Sequence, residues 1–336
     1  MNIRKLLFAV IALFLLSSCS DSSEGDKKED RILPSSSGKI NEMVVVMKHD
    51  LWKGKVGNEV RSIFGQEIDG LPQPEPLYRV AHVAPSDFNS VFKAARNIII
   101  VELKESDKAS LSINSKVYAQ PQIIEKLSAN NEETLIKALR KYKEELVDSF
   151  HKQDIKSVQQ RFKRIAHYDI PNIEEKGISL ILPKSYSKVE VADNFWWYRS
   201  DIKEGKHYPT LNFMLYITPL NSDLDLSGQS IVAIRDSIAR KYVGGAIDGS
   251  YMQTESRPEY APIMKNVIVD DKVAIETRGL WMVEGDFMGG PFINYTIFDE
   301  VNKRIITAEG FVYAAGTKKR NYIFEMEAII KSLKLK

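Results

Sequence analysis

The sequence has little cysteine: Cys19 is its only one among 336 residues. One thiol cannot form an internal disulfide, so a chain of this length must hold its fold through its apolar core. The histidines are also few, and no two of them sit at a metal-ligand spacing with a carboxylate; they are His49, His82, His151, His167 and His207. No phosphate-binding loop, dinucleotide-binding glycine motif or serine nucleophile elbow occurs. The sequence therefore predicts no cofactor, no metal and no catalytic residues.

An excess of charge of either sign is also lacking. Lys and Arg total 47 and Asp and Glu total 45. Two of the basic residues, Arg4 and Lys5, lie at the N-terminus, so the chain from residue 19 carries 45 charges of each sign. Nucleic-acid binding needs a basic surface. We therefore expect no nucleic-acid partner.

Long apolar runs are absent except for Leu6 to Leu16. A membrane-spanning helix needs about 20 apolar residues, so this run is too short to be one. It follows Arg4 and Lys5 and leads into Leu16-Ser17-Ser18-Cys19, a pattern that resembles the lipobox of bacterial lipoproteins. The resemblance implies a signal peptide over residues 1–18 and a membrane anchor through acyl chains, such as palmitate, on Cys19. We expect the protein in the bacterial cell envelope, anchored to the outer membrane. The sequence does not distinguish the periplasmic face of that membrane from the cell-surface face.

The rest of the chain divides into a tether and two folded halves. Residues 19–38 are rich in Ser, Asp, Glu and Lys, which predicts a disordered tether after the lipidated Cys19. Residues 39–168 and 169–336 then form an N-terminal α+β domain and a C-terminal antiparallel α+β domain. Helical periodicity over Glu132–Ile165 predicts two helices, or one bent helix, with a single apolar stripe. The fold class is α+β: two α/β-sandwich halves, with mainly antiparallel sheets and packed helices.

Several motifs resemble known families. The C-terminal half loosely resembles the PsbP/Mog1-like fold at Gly177–Pro183 and Ala328–Leu333, which implies a binding or assembly role. Residues 39–334 resemble the DUF4837 family of Bacteroidetes lipoproteins. The motifs that carry this resemblance are Trp52-Lys53-Gly54, Ile63-Phe64-Gly65, Leu71–Pro76, Arg96–Ile99, Phe195–Arg199 and Gly285–Phe292. That family implies an envelope location but no assigned activity.

One candidate binding stretch is the aromatic strand Phe195–Asp201. Adjacent residues of a strand point to opposite faces, so Trp196 or Trp197 could leave the core beside Arg199 and bind a sugar or protein. The alternative, which we favour, is that helices cover both faces of the sheet and bury both tryptophans.

A second candidate is the glycine-rich loop within Trp281–Phe292. Phe287 and Met288 would be displayed at its tip, as apolar binding elements on a loop between two strands. Glu284 and Asp286 flank Gly285, and Asp286 is a further candidate binding residue. The alternative is a wide hairpin whose Phe287 and Met288 fold back onto the sandwich.

These observations favour a non-enzymatic binding or assembly module with an envelope protein or glycan partner. The first alternative is a hydrolase of unfamiliar type that uses carboxylates of the 284–291 loop. It would place Glu284 or Asp286 near Arg278 or His207, in a cleft. The second alternative is a structural spacer, which predicts no concave site.

Overall fold

The computed structural model describes residues 32–167, 170–220 and 227–336. The predicted signal peptide, Cys19 and most of the predicted tether lie outside the described residues. Residues Pro34–Lys336 form a compact unit. The architecture below concerns this unit.

The first half contains one sheet and five helices. The strands are β1 (Glu42–Val46), β2 (Arg79–Val83), β3 (Asn97–Leu103), β4 (Ser110–Ser115) and β5 (Ile123–Ala129). The helices are α1 (His49–Lys53), α2 (Lys55–Phe64), α3 (Ser90–Lys93), α4 (Glu132–Lys141) and α5 (Lys143–Lys163). The strand order is β2-β1-β3-β5-β4.

Most of this first sheet is parallel. Strand β1 pairs in parallel with β2 and β3, and β3 pairs in parallel with β5; only β4 pairs antiparallel, with β5. Helices α1 and α2 connect β1 to β2, and α3 lies between β2 and β3. Such crossover connections return the chain to the same direction. The α+β class is confirmed, but the first half is not mainly antiparallel as expected.

The second half contains one large antiparallel sheet and two helices. Its strands are β6 (Ile178–Ser179), β7 (Ser187–Ala192), β8 (Phe195–Asp201), β9 (Thr210–Pro219), β10 (Tyr251–Thr254), β11 (Ile263–Val269), β12 (Lys272–Glu284), β13 (Gly289–Asp299), β14 (Arg304–Tyr313) and β15 (Lys334–Leu335). Its helices are α6 (Gly228–Tyr242) and α7 (Arg320–Ile330). The large sheet has the order β10-β12-β13-β14-β9-β8-β7, with β11 also on β12, whereas β6 pairs with β15.

Both faces of the large sheet are covered. Leu215 and Ile293 face α5 and α7 in one core. Phe195, Met214 and Trp281 face α6 in another. Strand residues therefore alternate between two apolar layers rather than between a core and solvent.

Helix α5 joins the two halves. Its Leu146 and Phe150 lie in the core of the first half. Its Ile155, Val158 and Phe162 lie in the core of the second half. The apolar stripe that the sequence predicts is thus divided between two cores, and Tyr142 separates α4 from α5 as two helices.

Candidate functional site

The two tryptophans of β8 point to opposite sides of the large sheet. Trp196 is 1% exposed, and its Nε1 donates to the Pro171 carbonyl oxygen at 2.7 Å. Trp197 is half-buried on the α6 side, where its Nε1 donates to Asn212 Oδ1 at 3.0 Å. Because helices cover both faces, Trp196 is a core residue and has no surface for a partner, and Trp197 offers only a part of its ring.

Arg199 is exposed at the end of the same strand. Its Nε lies 3.2 Å from Asp201 Oδ1, two residues away on the same face. Strands β9, β14 and β13 separate β8 from β12. At about 4.8 Å per strand, roughly 19 Å divides Arg199 from β12. The structure therefore does not bring the two predicted binding stretches together.

The hairpin between β12 and β13 carries the second predicted stretch. Gly285 has φ +85°, a left-handed conformation that favours glycine. The Val283 N–H donates to the Met288 carbonyl oxygen at 2.9 Å, and Asp286 Oδ1 accepts from the Phe287 N–H at 2.6 Å. This turn directs Met288 into the core under α6. Phe287 is fully exposed, at 107%, so only one of the two apolar residues expected at the tip is displayed.

Phe287 borders a hollow of about 390 Å³. Trp281 and Tyr313 also line this hollow, which lies between the hairpin and residues 72–73 and 313–319. Gly290 of β13 allows β14 to approach closely here, because a Cβ at this position would lie 2.0 Å from the Val312 carbonyl oxygen. A hollow of this size falls in the range of ligand pockets. A concave surface beside an exposed aromatic argues against the spacer hypothesis.

The carboxylates of this hairpin do not form a catalytic cluster with Arg278. Glu284 is exposed and accepts from Gln253 Nε2 at 2.7 Å. Arg278 lies six residues earlier on β12, about 20 Å along the strand. The ring of His207 lies instead beside Gly316, whose Cβ position would be 3.2 Å from it. Solvated loop carboxylates count against the hydrolase alternative.

Arg278 belongs instead to a buried ionic cluster between the two halves. Its Nε contacts Glu276 Oε1 at 2.6 Å, and its Nη2 contacts Glu327 Oε2 at 2.8 Å. Lys331 and His151 also contact Glu327, and Tyr295 donates to Glu276. Burial raises the pKa of Glu327, but the charges of Arg278 and Lys331, with the contact from His151, outweigh it, so the pKa lies well below its usual range. Both carboxylates are therefore engaged by partners within the protein, which is the arrangement of a structural joint.

Neither a membrane-spanning helix nor a metal-binding cluster occurs in the part of the chain that the structure describes. No helix in the described ranges is long and apolar enough to cross a membrane. Within residues 32–167, 170–220 and 227–336, no group of three or more His, Cys, Asp or Glu side chains could hold a metal ion.

Family comparisons divide the chain in the same place as the two sheets. Residues 167–332 match the family model described as "Domain of unknown function (DUF4837)". The second half of the chain therefore matches the DUF4837 family model. Residues 36–163 match a different model, described as "Domain of unknown function (DUF8532)". The predicted resemblance to DUF4837 is thus confirmed for residues 167–332, and the motifs quoted from the first half lie in residues that match the DUF8532 model.

Solved structures show weak similarity to this chain. The Ran-binding protein Mog1p of Saccharomyces cerevisiae has a TM-score of 0.31 and 10% identity, covering 47% of this chain and 90% of its own. LpqN of Mycobacterium tuberculosis, described as involved in cell envelope biogenesis, has a TM-score of 0.29 and 10% identity, covering 47% and 82%. A Mog1-like neighbour was expected, but similarity at this level carries no inference about ligand or activity. No curated protein matches the chain.

Proposed function

We propose that this chain is a lipid-anchored binding module of the bacterial cell envelope, held at the membrane through Cys19 and contacting an envelope protein through Phe287. The N-terminal pattern supports the anchor. A basic start, a short apolar run and Leu16-Ser17-Ser18-Cys19 follow one another in the order that lipoproteins use. The anchor keeps the module at a surface where other envelope proteins are concentrated.

The exposed ring of Phe287 is the single observation that carries the partner contact. The hairpin holds this ring away from the core, although Met288 beside it packs inward. Burying a Phe side chain in a partner contributes about 1.5–3 kcal/mol. Aromatic side chains that fill a pocket are common anchors of protein interfaces. A single ring that protrudes from a turn suits a pocket on a protein better than the flat face of a sugar.

The anchor is tested by the variant Cys19→Ser. We expect the wild-type chain in the membrane fraction, with an acylated Cys19 at its N-terminus by mass spectrometry, and the variant released from that fraction. The neighbouring variant Ser20→Ala is the matched control and should stay in the membrane fraction. A Cys19→Ser protein that remains in that fraction to the wild-type extent would exclude the lipid anchor.

The partner contact is tested by chemical crosslinking in cells followed by mass spectrometry. We compare the wild-type chain with Phe287→Ala, and expect a protein partner that the variant loses. Val301→Ala is the matched control, because Val301 is 85% exposed on the turn at the opposite end of β13. If both variants retain the same crosslinked partners as the wild type, Phe287 is not the contact.

A further inference from the structure

A second, larger cleft lies where the two halves meet. Its volume is about 920 Å³. It is lined by residues 35–40, by residues 115–122, by one face of α5 and by Asn321 and Glu325 of α7. Six basic side chains and one carboxylate, that of Glu325, are among the described residues that line it. The basic residues are Lys39, Arg96, Lys116, Lys156, Arg161 and Arg164.

Most of these basic side chains lack an acidic partner. Arg161 contacts Glu325 at 2.6 Å. The other four at the rim make no ion pair and no side-chain hydrogen bond with any residue that the structure describes; they are Lys39, Lys116, Lys156 and Arg164. The cleft therefore has a surplus of positive charge, although the chain as a whole is balanced.

Arg96 lies deeper in the cleft, with its side chain 15% exposed. Its Nε is 3.6 Å from Asp154 Oδ1, which is longer than a hydrogen bond. Nε and Nη1 are buried without a hydrogen-bond partner among the described residues. These two nitrogens are closed to solvent, so a ligand in the cleft would contact the guanidinium through the part of the side chain that is exposed.

Helix geometry explains only part of this basic cluster. Basic residues near the C-terminus of a helix complement its dipole, which accounts for Arg161 in the last turn of α5 and Arg164 at its C-cap. It does not account for Lys39, Arg96 and Lys116, which come from three other segments. The face of α5 toward the cleft is polar along its length, at the i, i+3, i+4 spacing; it presents Gln153, Lys156, Ser157, Gln160 and Arg164.

We infer that this cleft binds a polyol that carries two or more phosphate groups, as a lipid headgroup or as a soluble molecule. A phosphate monoester carries a charge of about −1.5 to −2, so two or three of them balance the four basic residues at the rim that make no ion pair. The Arg96 and Arg164 forks and the lysines match phosphate oxygens. The amides and hydroxyls of α5 match the hydroxyl groups of a polyol. The volume lies near the upper end of the range for small-molecule pockets.

Calorimetric titration tests the soluble source. The full chain in detergent micelles is titrated with inositol hexakisphosphate, with citrate as a polycarboxylate and with inositol as the uncharged scaffold. We expect binding of inositol hexakisphosphate that weakens as salt is raised, much weaker binding of citrate and none of inositol. Vesicle flotation tests the lipid source. The chain from residue 20, which keeps the compact unit Pro34–Lys336, is mixed with phosphatidylcholine vesicles with and without cardiolipin.

Two double variants of equal charge change separate the cleft from general surface charge. Lys156→Gln with Arg164→Gln removes two exposed cleft residues. Lys104→Gln with Lys108→Gln is the control and removes two exposed lysines that follow the C-terminal end of β3, whereas Arg96 precedes its N-terminal end. These two lysines also lack ion pairs in the described part of the chain. We expect the cleft variant to bind at least about tenfold more weakly, since hydrogen bonds to charged groups are lost. The control should stay within about twofold of the wild type.

Each outcome decides the inference. Binding of inositol hexakisphosphate alone identifies a soluble source, and flotation only with cardiolipin identifies a lipid headgroup; both support the site. Equal loss in the two double variants would show general charge attraction and overturn it. Citrate binding as tight as inositol hexakisphosphate would overturn the assignment to phosphate. Absence of binding to every probe would overturn the site itself.

Discussion

His151 of α5 lies 3.1 Å from Glu327 of α7, through Nε2 and Oε1. This contact connects the first half to the second half at the point where α5 passes from one core to the other. Phe324 packs edge-on against the same imidazole, at a centroid distance of 5.2 Å. The halves are therefore joined by apolar packing and by a buried charge cluster, and both contributions can be measured.

The first prediction concerns the pH dependence of this joint. Burial lowers the pKa of His151 below 6.5; Glu327 opposes this effect, and Lys331 and Arg278 add to it. As pH falls below 6.5, the unfolded chain takes up a proton before the folded chain does, so the free energy of unfolding decreases. His151→Gln removes this titration. Urea unfolding at neutral and mildly acidic pH should show a smaller loss in the variant, and an unchanged loss would contradict the buried neutral histidine.

The second prediction concerns the carboxylate of the joint. Glu327→Ala leaves Arg278 and Lys331 without their shared partner in a buried site, so we expect a loss of about 3–5 kcal/mol in the free energy of unfolding. Glu325→Ala, on the same helix, breaks a pair with Arg161 whose side chains are 29% and 54% exposed. That control should lose only about 0–1 kcal/mol. Urea unfolding measures both, and equal losses would refute the central role of Glu327.

The third prediction concerns Glu125 in the middle of β5. Burial raises the pKa of this carboxyl to about 9, against the hydrogen bond from Ser149. Between pH 4.5 and about 9, the protonated Glu125 gives the folded chain one more bound proton than the unfolded chain. The free energy of unfolding therefore decreases as the pH rises through this range.

Glu125→Gln replaces the neutral acid with a neutral amide of the same shape. Its stability should match the wild type near the bottom of that pH range and exceed it increasingly toward the top, by at most about 1.4 kcal/mol per pH unit. Urea unfolding across the range measures this difference. A constant difference at every pH would mean that Glu125 is ionised in the folded protein.

A fourth prediction separates the two predicted aromatic stretches. Trp196 is buried, so Trp196→Ala should lower the free energy of unfolding by about 3–5 kcal/mol. Phe287 makes no core contact, so Phe287→Ala should change it by no more than about 0.5 kcal/mol. Thermal or urea unfolding of the two variants measures this contrast. A large loss for Phe287→Ala would mean that the ring packs on the hollow instead of facing a partner.

Sequence patterns predicted the elements whose apolar residues are continuous or periodic. Strand β3 can be predicted from its sequence, since Ile98-Ile99-Ile100-Val101 is an uninterrupted apolar run. Strand β5 has no such run, because Glu125 and Lys126 interrupt it, although it lies inside the first sheet. Without β5, the parallel pairing of that sheet could not be predicted.

The candidate sites likewise include features that a local sequence pattern predicts and features that only the fold reveals. Strand alternation correctly placed Trp196 and Trp197 on opposite faces, but only the packing of α6 and α7 shows that both faces are covered. The basic cleft has no local signal at all. Lys39, Arg96 and Lys116 are far apart in sequence and resemble ordinary solvated charges, and only the fold brings them to one cleft.

The proposal that an anchored module presents Phe287 to a partner is tested most directly by a photo-crosslinking amino acid at position 287 in cells. We predict a discrete protein adduct at this position, none at position 301 on the opposite turn, and loss of the 287 adduct in the Cys19→Ser chain. An adduct of equal yield at both positions, or one that persists at full yield in the Cys19→Ser chain, would contradict the account.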